Sequence, residues 1–484
     1  MISAPATGDR VARGVAWSAA ESWIRHLVSF AVAVVLARQL GADDFGLAAL
    51  AMVAPVILAA PVTTGFPDAL IQRPELEPIH LDSVFWLLLG TGLLLSLLIW
   101  CCATPIARSL DEPRLTELVR WTSAVVLLQA AASVPAAVLR RHLDFRLLAL
   151  RTTAGTFIGG ALGVALATAG FGVWSLVGMQ LGTVAIESAI LLLFGQWRPR
   201  MRFSLRHCRD LCGFAGPLTL HSLWTLANDE LPKLIIGLVV GTPAVGIFAF
   251  ARRPLEFLTQ GFLGPVASVS MPTVSRLQNQ PEKINAFFHK AARMAALVGF
   301  PVFIGFAAVA PGAVPLLFGD HWIVAVPAVQ ILMLVGVSRS LESLPGLSLL
   351  ALGHSRLLLK LALLYTALCL LLVPAAAHFG LEAALGAVLL CNVAMLPIYF
   401  VLAERLAGID VLRALAIVPR LAFCVAVMVA AIELLRRFAP AGGSAPSQLA
   451  VEVGIGGAAF LAATALLLPR ELLSARDVLD RIRR

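Results

Sequence analysis

Long apolar runs recur along almost the whole chain, and each is long enough to cross a lipid bilayer as a helix. A spanning helix needs about 20 residues. Long runs, rather than short alternating ones, favour helices over a β-barrel, because every backbone amide in the hydrocarbon must be paired within the protein. The composition agrees, since 59% of the 484 residues are hydrophobic and only 13% are charged. The chain is therefore predicted to be an all-α polytopic membrane protein.

The apolar runs predict about fourteen transmembrane helices. Their expected limits are residues 15–38, 44–66, 81–103, 118–138, 153–170, 173–195, 213–239, 243–268, 292–316, 325–351, 357–377, 381–403, 414–435 and 448–468. The short polar segment before the first run lacks a small-residue cleavage site after an apolar core of signal-peptide length. The first span is therefore expected to be retained.

The basic residues predict the orientation of these spans. Of the 37 Lys and Arg residues, 25 fall in loops on the side of Met1, 6 fall on the opposite side and the rest lie within spans. Such an imbalance places both termini in the cytoplasm. The formal net charge of +9 is thus explained by orientation, and a nucleic-acid partner is not expected, because the basic residues form no patch with interleaved aromatics.

The stretch from Gly14 to Phe66 is partly repeated later in the chain. Gly41 and Gly46 in LGADDFG match Gly241 and Gly246 in VGTPAVG at an offset of 200 residues. Near the first pair, the side chains of Ser18, Glu21, Ser22, Arg25 and Ser29 form a polar stripe at helical spacing. At the same offset, three residues of this stripe align with Ser222, Thr225 and Asp229. A shared polar face beside a shared G-x4-G motif predicts two lobes built on one plan, as in many transporters.

Charged residues inside the predicted spans mark the candidate site. The buried cations are Arg25, Lys233, Arg252, Arg253, Arg339 and Arg420, and acids three or four residues away give four expected pairs. These expected pairs are Glu21 with Arg25, Asp229 with Lys233, Glu256 with Arg252, and Glu342 with Arg339. One interpretation is that the pairs neutralise each other and hold the bundle together. The other is a wet, positively lined cavity that receives an anion, since Arg can donate two parallel hydrogen bonds to a phosphate.

The anion interpretation selects Arg25, Arg252, Arg253, Lys233 and Arg339 as candidate substrate-binding residues, whereas Arg420 is expected to serve structure or lipid contact. Glu187 has no cation at helical spacing, and a lone buried carboxylate can carry a proton. Glu187 is therefore a candidate for ion coupling, together with Glu21, Asp229 and Glu256. A protonated, hydrogen-bonded core acid is the alternative for Glu187.

Two further motifs suggest chemistry but have simpler explanations. Asp43 and Asp44 could act as base and metal ligand in a membrane glycosyltransferase, but a helix cap explains them more simply. His207, Cys208 and Cys212 have a faint metal-like spacing without a second ligand pair, so no metal and no cofactor are predicted. Trp100, Trp121, Trp174 and Trp322 are expected near the outer membrane interface.

Four stretches of the chain resemble a known family. They are VVLARQLGADDFGLAAL, VLRRHLDFRLLALRTTAGTFIGGALGVALATAGFGVWSLV, LIIGLVVGTPAVGIFAFARRP and LFGDHWIVAVPAVQIL. They are similar to the polysaccharide transporter (Wzx-like oligosaccharide flippase) family of the multidrug/oligosaccharidyl-lipid/polysaccharide flippase superfamily, over roughly residues 10–405. The resemblance implies two pseudo-symmetric six-helix lobes followed by two C-terminal helices. The corresponding division is residues 1–199, 200–405 and 406–484, the last with a basic cytoplasmic tail.

The resemblance also implies a function. Such a protein is expected to be a transporter rather than an enzyme, and to turn over a polyprenyl-pyrophosphate-linked oligosaccharide from the cytoplasmic to the periplasmic leaflet of a bacterial inner membrane. Alternating access driven by an ion gradient is implied, as are membrane lipids and the polysaccharide polymerase or export machinery as partners. A multidrug cation antiporter of the same superfamily and a membrane glycosyltransferase or polymerase remain the alternatives.

Overall fold

The computed structural model describes residues 25–263, 281–352, 355–408, 410, 415–438 and 445–469. Within these ranges the chain is almost entirely helical and contains no strand. The chain forms two compact units, which meet in sequence at Gly246 and Ile247. The predicted boundary between residues 199 and 200 divides the chain by its sequence repeat and not by compactness. It therefore stays a prediction.

The first unit contains nine helices among its described residues and the start of a tenth. They are α1 (25–39), α2 (Ala42–Leu58), α3 (Ala60–Thr63), α4 (Phe66–Gln72), α5 (Pro78–Ser109), α6 (Leu115–Arg141), α7 (Phe145–Thr168), α8 (Val173–Phe194), α9 (Leu205–Val239) and α10 (Thr242–Leu258). The chain bends by 49° between α2 and the segment Ala60–Gln72 that contains α3 and α4. Pro55 lies inside α2 and Pro61 is the second residue of α3, so the bend falls where these prolines predict it.

The second unit begins within α10, which a π-helical turn, Thr259–Leu263, extends. Its other described helices are α11 (Pro281–Phe318), α12 (Val326–Ala351), α13 (Ser355–Ala377), α14 (Leu381–Ala407), α15 (Val418–Phe438) and α16 (Ala445–Leu467), with a 3-10 turn at Asp320–Ala325. Helices α15 and α16 correspond to the two predicted C-terminal spans. They pack on α11 through a cluster of buried side chains that includes Phe300, Leu421, Met428 and Phe460. The tail from residue 470 onward lies outside the described residues.

The membrane character of the fold is confirmed, and the count of fourteen spans is approximate. Ten helices among the described residues are long and apolar enough to cross a membrane, or eleven if the bent α2–α4 segment counts as one span. The first predicted span lies only partly within the described residues. The seventh and eighth correspond to α9 and α10. Helix α9 carries Asp229, Glu230 and Lys233, and α10 has only 17 residues.

The glycines of the repeated motif lie at a close helix crossing. The first turns of α2 and α10 meet so tightly that a Cβ atom on Gly46 would overlap the carbonyl of Thr242, and one on Gly246 would overlap the carbonyl of Ala42. The contact is reciprocal, since each glycine faces the first residue of the other helix. By contrast, a Cβ on Gly41 would meet nothing within 4 Å. The repeat therefore supplies the small residues that this crossing requires.

One tryptophan differs from its predicted place. Trp100 and Trp121 are about half exposed, as expected of side chains at a membrane interface, but Trp322 is fully buried. Its ring stacks on Phe250 with centroids 3.9 Å apart, and Phe250 in turn meets Phe318 edge to face. Trp322 therefore belongs to the core of the second unit, and the prediction that it lies at the interface is wrong.

Candidate functional site

A small polar cavity in the first unit contains one of the predicted coupling residues. It has a volume of about 140 Å³, and α6, α7 and α8 supply most of its lining. Its polar side chains are Thr63, Gln129, Ser133, Arg140, Arg151, Glu187 and Ser188. Polar groups inside a membrane bundle are expensive unless they are paired or serve a function. A cavity with two guanidinium groups and one carboxylate is therefore a candidate site.

Glycines on α7 bring Glu187 into this cavity. Gly155, Gly159 and Gly163 are spaced four residues apart, so they form one stripe on the helix. A Cβ on Gly155 would come within 2.6 Å of the Glu187 side chain, and one on Gly163 within 2.7 Å of Met179. Only glycine allows α7 and α8 to approach this closely. Arg151 lies one turn before Gly155, so the same stripe places its guanidinium beside Glu187.

The Arg151–Glu187 pair is loosely matched. The guanidinium and carboxylate are 3.7 Å apart, and their side chains are 17% and 24% exposed. This distance is an ion pair but is too long for a direct hydrogen bond. The Nε atom of Arg151 and the Oε1 atom of Gln129 are buried and have no hydrogen-bond partner among the described residues. Both atoms therefore have hydrogen-bonding capacity that the described protein groups do not use.

The predicted residues Arg25 and Glu187 are brought near each other. The positive charge of Arg25 acts on the carboxylate of Glu187 together with that of Arg151. Glu187 has no cation at helical spacing on its own helix, but Arg151 and Arg25 on other helices are its cationic neighbours. Spacing along one helix could not reveal Arg151, because it lies on the neighbouring helix. The expected partner of Arg25, Glu21, lies outside the described residues.

Helix α9 contains another ion pair of the first unit. The ammonium group of Lys233 lies 2.6 Å from a carboxylate oxygen of Glu230. Glu230 is 5% exposed, whereas the predicted partner Asp229 is exposed. Acids three and four residues before a lysine both suit a helical pair, so spacing alone could not choose between them. Glu230 is the buried acid that the sequence prediction omitted.

In the second unit, α10 presents the two adjacent arginines. Arg252 forms the predicted pair with Glu256 at 2.9 Å, and the Glu256 side chain is 48% exposed. The guanidinium of Arg252 also lies 5.8 Å from the ring centre of Phe248, which is within the range of a cation–π contact. Arg253 is half-buried beside it. The i, i+4 prediction for Arg252 is thus confirmed by geometry, while a role in substrate binding stays a prediction.

Arg339 belongs to another polar cluster of the second unit. Its charge acts on Glu342 and on Tyr365, and the hydroxyl of Tyr399 is hydrogen-bonded to the Glu342 carboxylate. The Asn392 amide donates to the Tyr365 hydroxyl at 3.4 Å. The cluster therefore contains both tyrosines of the chain. Helices α12, α13 and α14 each contribute to it, which makes it a multi-helix network rather than the isolated pair that the sequence predicts.

Asp43 and Asp44 lie in the first turn of α2, whose N-cap residue is Gly41. The side chain of Asp44 accepts hydrogen bonds from the amides of Gly41 and Val173. Val173 is the first residue of α8, and Gly41 immediately precedes α2. Asp44 therefore binds backbone amides at the N-termini of two helices. Asp44 is thus the third residue of α2 and not its N-cap, as the prediction of a helix cap had it, but its carboxylate binds backbone amides at the starts of α2 and α8.

One group of side chains could hold a metal ion. Glu77, His80 and His207 present ligand atoms that all lie within 4.8 Å of one another. Cys208 and Cys212, which follow His207 in the sequence, are free thiols outside this group. No sequence spacing relates the group, because Glu77 and His80 are far from His207 along the chain.

Comparisons with known proteins agree with this architecture. The sequence profile of the family described as "Polysaccharide biosynthesis protein" matches residues 35–327, which is more than half of the chain. The succinoglycan biosynthesis transport protein ExoT of Rhizobium meliloti is 28% identical over 326 residues, which make up 67% of this chain and 66% of that protein. The lipopolysaccharide biosynthesis protein WzxC of Escherichia coli is 25% identical over 350 residues, 71% of this chain and 70% of the relative.

The teichuronic acid biosynthesis protein TuaB of Bacillus subtilis is 26% identical over 299 residues, 60% of this chain and 61% of that protein. This chain thus spans about two thirds of the length of the curated relatives that it matches.

Solved structures show the same fold. The lipid II flippase MurJ, in an inward closed conformation, matches with a TM-score of 0.78 and 13% identity over 94% of this chain and 98% of that one. An inward-facing MATE multidrug transporter matches with a TM-score of 0.66 and 17% identity, over 79% of this chain and 94% of that one. These identities are low, so the two likenesses establish the fold alone. On the strength of the sequence match, the chain belongs to the family described as "Polysaccharide biosynthesis protein".

Proposed function

We propose that the protein is a flippase that moves a polyprenyl-pyrophosphate-linked oligosaccharide from the cytoplasmic to the periplasmic leaflet of a bacterial inner membrane. Both termini lie in the cytoplasm, as the distribution of Lys and Arg indicates. The lipid-linked oligosaccharide is the substrate, and translocation proceeds by alternating access coupled to an ion gradient. The flipped product passes to polysaccharide polymerase or export machinery.

The family and its members support this substrate class. The relatives are named for succinoglycan transport, lipopolysaccharide biosynthesis and teichuronic acid biosynthesis. The shared element is the biosynthesis of a polysaccharide, and one of the three relatives is named as a transport protein. The fold likeness to a lipid II flippase is consistent with a lipid-linked precursor.

The observation that carries the proposal is the cationic cavity of the first unit. Arg151 faces Glu187 across 3.7 Å, its Nε atom is without a hydrogen-bond partner among the described residues, and Arg140 lines the same cavity. A guanidinium group whose donors are not all used can bind a phosphate oxygen without first breaking a tight ion pair. Arg25, Lys233, Arg252, Arg253 and Arg339 supply further half-buried cations.

The acids beside these cations are the proposed coupling groups. Glu187 is the first candidate, because binding of a substrate phosphate by Arg151 would take away its counter-charge and favour uptake of a proton or cation. Asp229 and Glu256 are exposed, so an ion could reach them without displacing packed side chains. Glu21 stays a candidate from the sequence alone.

A multidrug exporter is less well supported, although the MATE proteins share the fold. An exporter of cationic drugs needs buried acids that are not already paired with a cation of the protein. Here the acids Glu187, Glu230 and Glu256 each lie beside a cation. An enzymatic role for Asp44 is also less well supported, since its carboxylate is engaged by two backbone amides.

The test is polysaccharide export by cells that carry Arg151→Ala in place of the native protein. A hydrogen bond to a charged group contributes about 1.5–3 kcal/mol, so loss of the guanidinium should slow export by about tenfold to a hundredfold. Arg151→Lys keeps the charge but loses the planar fork, and should give an intermediate rate. Arg146→Ala is the matched control, because Arg146 is an exposed arginine on the same helix.

Folded protein in the membrane must be equal for all variants, as measured by detergent extraction and gel filtration. Normal export by a protein lacking Arg25, Arg151, Arg252 and Arg253 together would contradict the proposal that buried cations hold the pyrophosphate.

A further inference from the structure

A cluster of two histidines and one glutamate joins the first turns of two helices in the first unit. Glu77 is the N-cap residue of α5 and His80 is the third residue of that helix. His207 is the third residue of α9. Its Nε2 atom lies 3.7 Å from a Glu77 carboxylate oxygen, and its ring meets that of His80 edge to face with centroids 4.6 Å apart. These three residues form the Glu77–His80–His207 cluster.

The two imidazoles are held in different ways. Nδ1 of His207 lies 2.6 Å from the hydroxyl oxygen of Ser204. When Nδ1 donates a proton to that hydroxyl, the lone pair of Nε2 faces Glu77. A hydrogen bond from the outer ring nitrogen in this manner is the usual way in which proteins orient a metal-binding histidine.

His80 has hydrogen-bonding capacity that the protein does not use. It is 1% exposed, its Nδ1 atom accepts only a long, 3.3 Å hydrogen bond from the Glu77 amide, and its Nε2 atom has no hydrogen-bond partner among the described residues. Burial of a polar group without partners costs free energy. A metal ion bound at either ring nitrogen would lower that cost.

The spacing of the cluster fits a metal ion after a small closure. Its three ligand atoms lie within 4.8 Å of one another, whereas ligands around a tetrahedral zinc ion at 2.0–2.2 Å are about 3.4 Å apart. The Glu77 side chain is 69% exposed, so its carboxylate can rotate inward without displacing packed neighbours. Two imidazoles and one carboxylate form a ligand set that suits Zn²⁺ and leaves a fourth position for water.

We propose that the Glu77–His80–His207 cluster binds a divalent transition-metal ion, with Zn²⁺ as the best match. The ion would fasten the first turn of α5 to the first turn of α9. Neighbouring contacts already hold these segments together, since Asp82 accepts from the Arg200 amide and Ser83 accepts from the Ser204 amide. The metal would add a link that depends on its availability. Such a link would stabilise the first unit whatever substrate the protein transports.

The experiment uses full-length protein purified in detergent, stripped with a chelator and dialysed. Titration with Zn²⁺ alone, followed by calorimetry, is expected to show one ion per chain, and Zn²⁺ should raise the temperature of thermal unfolding. His207→Ala and Glu77→Gln should each weaken binding by at least about tenfold, since loss of even an outer-shell partner has that effect. Both residues are more exposed than His80, so these variants are expected to fold even if His80→Ala does not.

Two controls separate this site from other ligands. His142→Ala removes an exposed histidine of the same unit, and Cys208→Ser with Cys212→Ser removes the thiols nearest to His207 in sequence. Both controls should bind Zn²⁺ like the native protein. The proposal is overturned if the native protein takes up no Zn²⁺, if Glu77→Gln and His207→Ala bind it unchanged, or if the cysteine variant loses it.

Discussion

The reciprocal glycine contact between α2 and α10 predicts that neither glycine tolerates a single added methyl group. A Cβ on Gly246 would overlap the carbonyl oxygen of Ala42 and lie 2.6 Å from its carbon and 2.9 Å from the amide nitrogen of Gly46. A Cβ on Gly46 would meet the Thr242 carbonyl in the same way. All these obstacles except the Thr242 methyl are backbone atoms, which cannot rotate out of the way.

The expected magnitude follows from two opposing effects. Overpacking typically lowers the free energy of unfolding by about 1–3 kcal/mol, while replacement of Gly by Ala inside a helix raises it by about 1 kcal/mol. Because the helices must move apart along their backbones, we expect the upper end of the first range and a net loss of about 2 kcal/mol per substitution. The two losses should not add, because the first substitution already separates the helices that the second would push apart.

The assay is thermal unfolding of purified Gly46→Ala and Gly246→Ala proteins in detergent. Gly41→Ala is the matched control, because a Cβ there would meet nothing within 4 Å and its φ of −89° suits alanine. A loss of 1 kcal/mol shifts the melting temperature by about 2–4 °C in a unit of this size. If Gly246→Ala melts together with Gly41→Ala, the close crossing of the two repeated motifs is refuted.

Three further predictions concern stability in the same assay. Arg436→Met should lower the free energy of unfolding by about 3–5 kcal/mol, because it leaves the 4% exposed Glu452 without its 2.7 Å partner; adding Glu452→Gln should restore part of the loss. Trp322→Ala should cost about 3–5 kcal/mol, whereas Trp121→Ala, which changes a half-exposed side chain, should cost far less. Asp44→Ala should cost about 1–3 kcal/mol through two unpaired amides, and Asp43→Ala, at an exposed position, should be close to neutral.

The helices themselves could be predicted from the sequence, because hydropathy over about 20 residues records burial in lipid directly. The boundaries were less certain where polar residues enter a helix. Helix α9 begins at Leu205, eight residues before the predicted span, since a helix can continue beyond the bilayer. The bend at Pro55 and Pro61 could be predicted because proline removes a backbone donor wherever it occurs.

The candidate site could be predicted only in part. The Arg252–Glu256 pair followed from i, i+4 spacing, because both groups lie on one helix. The Arg151–Glu187 pair joins two helices, and Arg151 lies just before the predicted span at residues 153–170, where the sequence favours a loop. Glu230 is buried and Asp229 is exposed, although they are adjacent on one helix. The sequence alone could not show which of the two side chains faces the protein. The Glu77–His80–His207 cluster depends on tertiary packing alone.

The central claim is that buried arginines carry the pyrophosphate of a lipid-linked sugar across the membrane. Its most direct test is translocation in proteoliposomes that contain the purified protein and a labelled polyprenyl-pyrophosphate oligosaccharide. The native protein should move this lipid between leaflets, should fail to move a matched polyprenyl glycoside that lacks phosphate, and should lose its activity when Arg25 and Arg151 are both replaced by alanine. Equal transport of the two lipids, or full activity of the double variant, would contradict the account.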